Sequence, residues 1–189
     1  MVKKVILGLL GFIVAVVVVL CVTIAMQPNE FKITRSATIN AAPETVFAQV
    51  NDFHKWDAWS PWAKIDPNMK TTFSGPDSGQ GASYAWTGND QVGEGKMTIA
   101  QSHPSQHIAI DLEFIKPFAQ KSLTEFMFKP NGDKTDVTWS MTGQNNFMGK
   151  AFGLFMNMDK MVGGDFEKGL AQMKETAEAD AAKGKAPAK

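Results

Sequence analysis

The sequence predicts an α+β fold: a curved antiparallel sheet of about seven strands around a long C-terminal helix, preceded by one N-terminal transmembrane helix. Three observations predict it. Residues 5–26 carry no charged side chain. Residues 31–141 break into short runs of alternating apolar and polar residues separated by Gly, Pro, Asn and Asp. Between 147 and 179, apolar residues recur every three to four positions, as on one face of a helix.

The apolar segment comes first. Its 22 residues, at about 1.5 Å rise each, match a hydrocarbon core of roughly 30 Å. Lys3 and Lys4 precede it and polar and acidic residues follow. The positive-inside rule therefore keeps residues 1–4 in the cytoplasm and predicts a single-pass protein of the inner (cytoplasmic) membrane, its C-terminal domain periplasmic or extracellular. A cleaved signal peptide shares the basic start, and Thr23-Ile24-Ala25 is a tolerable cleavage site. The apolar run is longer than the roughly 7–15 residues of a signal core, which favours a retained anchor. Leu20 stands where a lipoprotein site needs a small residue before Cys21.

What remains has the length of one domain, expected over residues 31–178, with a disordered tail over 179–189. A domain of that size builds a core without disulfide or metal. Cys21 is the only cysteine, so the domain has no thiol chemistry. Nineteen basic and nineteen acidic side chains are interspersed, which gives no footprint for nucleic acid.

Within the domain, residues 31–40 alternate with Phe31, Ile33 and Ile39 on one side. Pro43 then suits a first helical position, and Val46, Phe47 and Val50 share a helical face. Trp56, Trp59 and Trp62 recur at three-residue spacing up to a loop through Pro67. Six further strands are expected over 70–73, 82–87, 92–101, 107–114, 121–129 and 135–141. Parity puts Tyr84 and Trp86, Met97, Ile110 and Phe114, Phe126, and Trp139 and Met141 on one apolar face, with Glu94, Lys96, Asp111 and Glu113 on the solvated one. The last helix, expected as one piece over 147–179, carries Phe155, Met158, Val162, Phe166, Leu170 and Met173 on its apolar stripe, and Gly163-Gly164 is expected to weaken or kink it.

With these elements in place the chain resembles the SRPBCC (START-like; polyketide cyclase/dehydrase and lipid-transport) superfamily, in a membrane-anchored bacterial branch. The resemblance spans about residues 31–175. It rests on Ile39-Asn-Ala-Ala-Pro-Glu-Thr-Val-Phe47, the Trp56 to Trp62 cluster, Phe73-Ser-Gly-Pro76, Gly79-Gln-Gly-Ala-Ser-Tyr-Ala-Trp86, Thr135-Asp-Val-Thr-Trp139 and Gly163-Gly-Asp-Phe-Glu-Lys-Gly-Leu170. It implies the helix-grip fold, in which the sheet wraps the C-terminal helix and a cavity lies between them. The residues expected to line that cavity are Trp59, Trp62, Tyr84, Trp86, Met97, Ile110, Phe114, Phe126, Trp139, Met141, Phe155, Met158 and Val162. Gly93 and Gly95, at inward parity, are expected to leave room beside Met97, and the methionines can repack around guests of different shape. The opposite reading of the same stripe is a filled core.

Catalytic signatures are sparse. His54, His103 and His107 fall at a helix end, a turn and a strand start, and Pro104 breaks the spacing that would make a helical metal pair of the last two. Glu94, Asp111 and Glu113 are expected to form cross-strand ion pairs on the outer face. No catalytic residues, metal or cofactor are predicted. The Tyr84 hydroxyl and the indole N–H groups of Trp86 and Trp139 are left as groups able to orient a ligand oxygen. The expected function is a membrane-anchored binding or carrier domain for a small hydrophobic molecule, such as a lipid. The alternatives are an envelope scaffold with a filled core and a polyketide-cyclase-like enzyme.

Overall fold

The computed structural model describes residues 2–184. Its elements are α1 (Val2–Ala25), β1 (Glu30–Ile39), α2 (Pro43–Asn51), a 3-10 turn (Phe53–Lys55), α3 (Trp56–Trp59), β2 (Lys70–Ser74), β3 (Ser83–Thr87), β4 (Glu94–His103), β5 (His107–Lys116), β6 (Gln120–Asn131), β7 (Lys134–Gln144), α4 (Phe147–Phe155) and α5 (Met158–Gly184). They group into two units, Met1–Phe31 with Gln144–Met158, and Lys32–Gly143 with Asp159–Lys189.

In the first unit, α1 is an unbroken helix on which Ile24 alone is buried. Among the described residues it is the helix long and apolar enough to cross a membrane. That length and composition suit an anchor or a signal sequence.

The second unit is dominated by the sheet, ordered β1-β7-β6-β5-β4-β3-β2. From β2 to β7 each strand runs antiparallel to the next, because short turns such as Asn131 to Lys134 leave no length for a crossover. The first strand closes the far edge beside the last. Side-chain alternation follows the predicted parity: Met97, Ile99, Ile110, Leu112, Phe126 and Trp139 are buried, while Lys96, Asp111, Lys121 and Lys129 are exposed. On the outer face Glu94 pairs with Lys116 at 2.7 Å and Glu113 with Lys121 at 2.5 Å. Register shifts between Glu94 and Gly95 and between Ile99 and Gln101 bend β4 against β5.

The C-terminal segment departs from expectation. Instead of one helix kinked at Gly163-Gly164, there are two helices, with the break at Met156 and Asn157. The second runs unbroken through both glycines and on to Gly184, so residues 179–184 of the expected tail are helical, while 185–189 lie outside the described residues. The reason is tertiary. A Cβ on Gly163 would lie 2.0 Å from Nη2 of Arg35, whereas one on Gly164 would meet nothing within 4 Å. Arg35 points inward from β1, and its guanidinium donates to Glu167 Oε1 (2.6 Å), to both carboxylate oxygens of Asp159 (3.1 Å each), and to the carbonyls of Asp159 (2.9 Å) and Thr34 (2.8 Å). All five N–H groups are engaged. Gly163 is thus the flat spot on α5 that lets a cation of β1 seat beneath it.

Farther along, Gly163, Phe166, Gly169, Leu170, Met173 and Ala177 form the buried stripe of α5. Hydrogen bonds fix its far end. Glu178 accepts from the backbone and side-chain N–H groups of Asn40 (2.8 and 2.6 Å), and Asp180 from Gln49 Nε2 (3.0 Å).

Candidate functional site

The inward-facing candidates of the second unit fall into two groups. In the first, rings interlock. Trp139 stacks on Phe166 (4.0 Å between centroids, 7° between planes) and on Phe126 (4.8 Å, 28°). Trp59 stands edge-on to Phe126 and Trp139, and Trp62 edge-on to Trp139 and Phe166. Gly169 permits this approach, since a Cβ there would sit 2.8 Å from Cζ3 of Trp139. The indole N–H of Trp59 donates to the Gln49 carbonyl and that of Trp56 to the Val50 carbonyl, both at 3.0 Å. Those bonds spend the polar ends of both rings on fixing α3 to α2.

The second group is looser. Tyr84, Trp86 and Phe114 are half-buried and form a row across β3, β4 and β5, Tyr84 to Trp86 at 6.1 Å and Trp86 to Phe114 at 6.0 Å. Met97 and Met141 are nearly covered and Ile110 fully so. Two expectations need correction here. The room expected above Gly95 is taken by Trp86, its register partner, because a Cβ on Gly95 would lie 2.4 Å from the indole. Nor is the Trp86 N–H free to orient a ligand, because it donates to the Val92 carbonyl at 2.9 Å.

The polar atoms of this face are few. Ser122 Oγ, Thr124 Oγ1 and Trp139 Nε1 are buried and have no hydrogen-bond partner in the protein. Ser122 and Thr124 stand two apart on the inward side of β6, and Trp139 is diagonal to Thr124, through the pairs Thr124↔Met141 and Phe126↔Trp139. Sequence reasoning found Trp139 but missed the two hydroxyls. The signal was present: they share the parity of Phe126 and Phe128 on β6. Such groups are rare, because an unpaired buried donor or acceptor costs about 1–3 kcal/mol. Tyr84 adds a phenol whose pKa is raised, first by burial and then by the negative charge of Asp57.

The remaining candidates lie elsewhere in the chain. Val162 is half-buried on α5, next to Gly163. Phe155 and Met158 belong to the first unit, and Phe155 is 78% exposed. A surface hollow of about 340 Å³, lined by Thr87 to Asp90, Gly93, Glu94, Lys116 and Pro117, involves none of the candidates. Two histidines serve local structure: His54 donates its backbone N–H to the capping carboxylate of Asp52 and stacks on Phe73, and His107 pairs with Glu125 at 3.0 Å.

A meandering antiparallel sheet closed on a C-terminal helix, with an aromatic inner face and a few orphaned polar atoms, defines a helix-grip domain of the START-like superfamily. The chain belongs to the family described as polyketide cyclase / dehydrase and lipid transport, whose model matches residues 30–178. Solved structures share the fold at low identity. Protein CV1439 from Chromobacterium violaceum matches at 14% identity and TM-score 0.56, over 80% of this chain and 99% of its own. MLL2253 from Mesorhizobium loti matches at 14% and 0.57, over 79% and 98%. The Aha1 dimer from Colwellia psychrerythraea matches at 12% and 0.56, over 78% and 96%. No curated protein matches the chain.

Proposed function

We propose that the domain binds a small, mostly hydrophobic molecule carrying at least one oxygen, such as a lipid, against its inner sheet face. The observation that carries this reading is the set Ser122 Oγ, Thr124 Oγ1 and Trp139 Nε1, buried without partners in an otherwise apolar surface. An indole N–H only donates and a hydroxyl does both, so a carbonyl, carboxyl or hydroxyl oxygen satisfies them. Tyr84, Trp86, Phe114, Met97 and Met141 offer the apolar contact, and the deeper Trp59, Trp62, Phe126 and Trp139 cluster forms its floor. Retained as an anchor, α1 tethers this domain to the inner membrane, and the charges of Lys3 and Lys4 support a periplasmic or extracellular side for it. Family membership supports the hydrophobic-ligand reading.

The test is native mass spectrometry of the full chain extracted from membranes in mild detergent. A co-purified amphiphile, lost on substitution of Thr124 and Ser122, is expected. A bare protein that takes up nothing from a panel of phospholipids, fatty acids and isoprenoids would reject the proposal. In that case the interlocked Trp139, Phe166 and Phe126 rings favour the second reading, a tethered scaffold with a filled core.

A further inference from the structure

We propose that α4 is a membrane-contact element, lying in the interface of the same bilayer that α1 spans; the inference rests on α1 being a retained span. Its sequence, Phe147 to Phe155, holds three phenylalanines, a methionine, a leucine and a single charge, Lys150. No residue of α4 is buried. Phe147, Met148, Phe152 and Phe155 are 52%, 58%, 49% and 78% exposed. Met148, Phe152 and Phe155 are spaced four and three apart and so project from one face. Surface apolar residues scattered singly are ordinary in water, but a short helix presenting such a face unbroken by charge marks an interaction site.

The only charge points away from that face, and its partners set the depth. Lys150 Nζ donates to the carbonyl of Ala25, the last residue of α1, at 3.3 Å, and to Asn29 Oδ1 at 2.5 Å. Asn145, just before α4, donates through its backbone N–H to the Asn29 carbonyl (2.6 Å) and through its side chain to the Pro28 carbonyl (3.2 Å). These bonds fasten α4 to the chain where it leaves the spanning helix, at the C-terminal carbonyls that favour a cation. A span that ends at Ala25 puts that level at the headgroups. Nine residues rise about 13.5 Å, too little to cross, and an apolar face on a short helix suits burial about 5–10 Å into the headgroup and acyl boundary. Continuity with α1 selects the bilayer as occupant, ahead of a second copy or another protein.

The experiment uses the full chain reconstituted in phosphatidylcholine vesicles and spin labels read by collision with oxygen and with a water-soluble nickel complex. Labels enter singly through Met148→Cys, Phe152→Cys and Phe155→Cys in a Cys21→Ser background. Gly132→Cys, in the β6–β7 turn, is the aqueous reference, and the native Cys21 reports on α1. High oxygen and low nickel collision at all three α4 positions, against the reverse at 132, is expected. A deep Cys21 label with nickel-accessible α4 labels would overturn the proposal and leave the anchor standing. An aqueous Cys21 label would remove both. Protection of α4 from both reagents would also overturn it, in favour of a second copy if lipid dilution relieves the protection and of another protein surface if it does not.

Discussion

Replacing Thr124 by valine tests whether its buried hydroxyl is held in place for a guest. Valine keeps the branched shape and removes only the hydroxyl, so no cavity forms. Thr124 is 4% exposed, and its buried hydroxyl has no partner in the protein. An unsatisfied buried polar group costs about 1–3 kcal/mol, so its removal stabilises the ligand-free protein by an amount of that order. At about 2–4 °C per kcal/mol for a domain of this size, the Tm of delipidated full-length Thr124→Val rises by a few degrees or more. Binding moves the other way. A neutral hydrogen bond is worth about 0.5–1.5 kcal/mol net, so affinity for an oxygen-bearing ligand falls up to roughly tenfold. The assay is paired: thermal unfolding in detergent without ligand, then the same with a saturating amphiphile. Stabilisation in the first and a smaller ligand-induced shift in the second is expected. A lower Tm for delipidated Thr124→Val would refute the reasoning, since it would show that the hydroxyl already works within the fold.

Gly163→Ala lowers Tm because its methyl intrudes on the Arg35 guanidinium, whereas Gly164→Ala, with open space and better helix propensity by about 1 kcal/mol, holds or raises it; equal effects would show that the arginine seat is not what Gly163 provides. Hydrogen bonding from Arg35 holds the Asp159 carboxyl below the usual carboxylate range. A depressed native pKa contributes stability that is complete above the unfolded value of about 3.9 and is lost as pH falls below it. Asp159→Asn therefore flattens the acid limb of a Tm-against-pH curve below about pH 4, and an unchanged limb would count against the pair. Tyr84 is the single tyrosine of the chain, so its ultraviolet absorbance titrates alone; burial and Asp57 put its midpoint above that of a free phenol, and Asp57→Asn brings it partway down.

Much of the fold could be read without coordinates. Strand parity in β4 to β7 sorted Met97, Ile110, Phe126 and Trp139 from Lys96 and Asp111 because a pleated backbone alternates its side chains wherever it is extended. The buried stripe of α5 was visible in Phe166, Leu170 and Met173 for the corresponding helical reason. The site was legible only in part. Which strand positions face inward followed from sequence, but whether a glycine leaves a void or houses a neighbour did not: Gly95 and Trp86 stand on different strands and meet only through their register.

By itself, then, the chain determined the long apolar N-terminal helix, the seven strands, their inner and outer faces and the terminal helical stripe, all of which arise from regularities over a few consecutive residues. Tertiary structure alone decided that β1 lies beside β7, that Gly163 admits Arg35 to α5, that the helix breaks at Met156 and Asn157, and that Ser122, Thr124 and Trp139 are left unpaired. Each of these depends on which groups meet across long stretches of chain, 132 residues in the case of Arg35 and Glu167, and no local pattern encodes such a meeting.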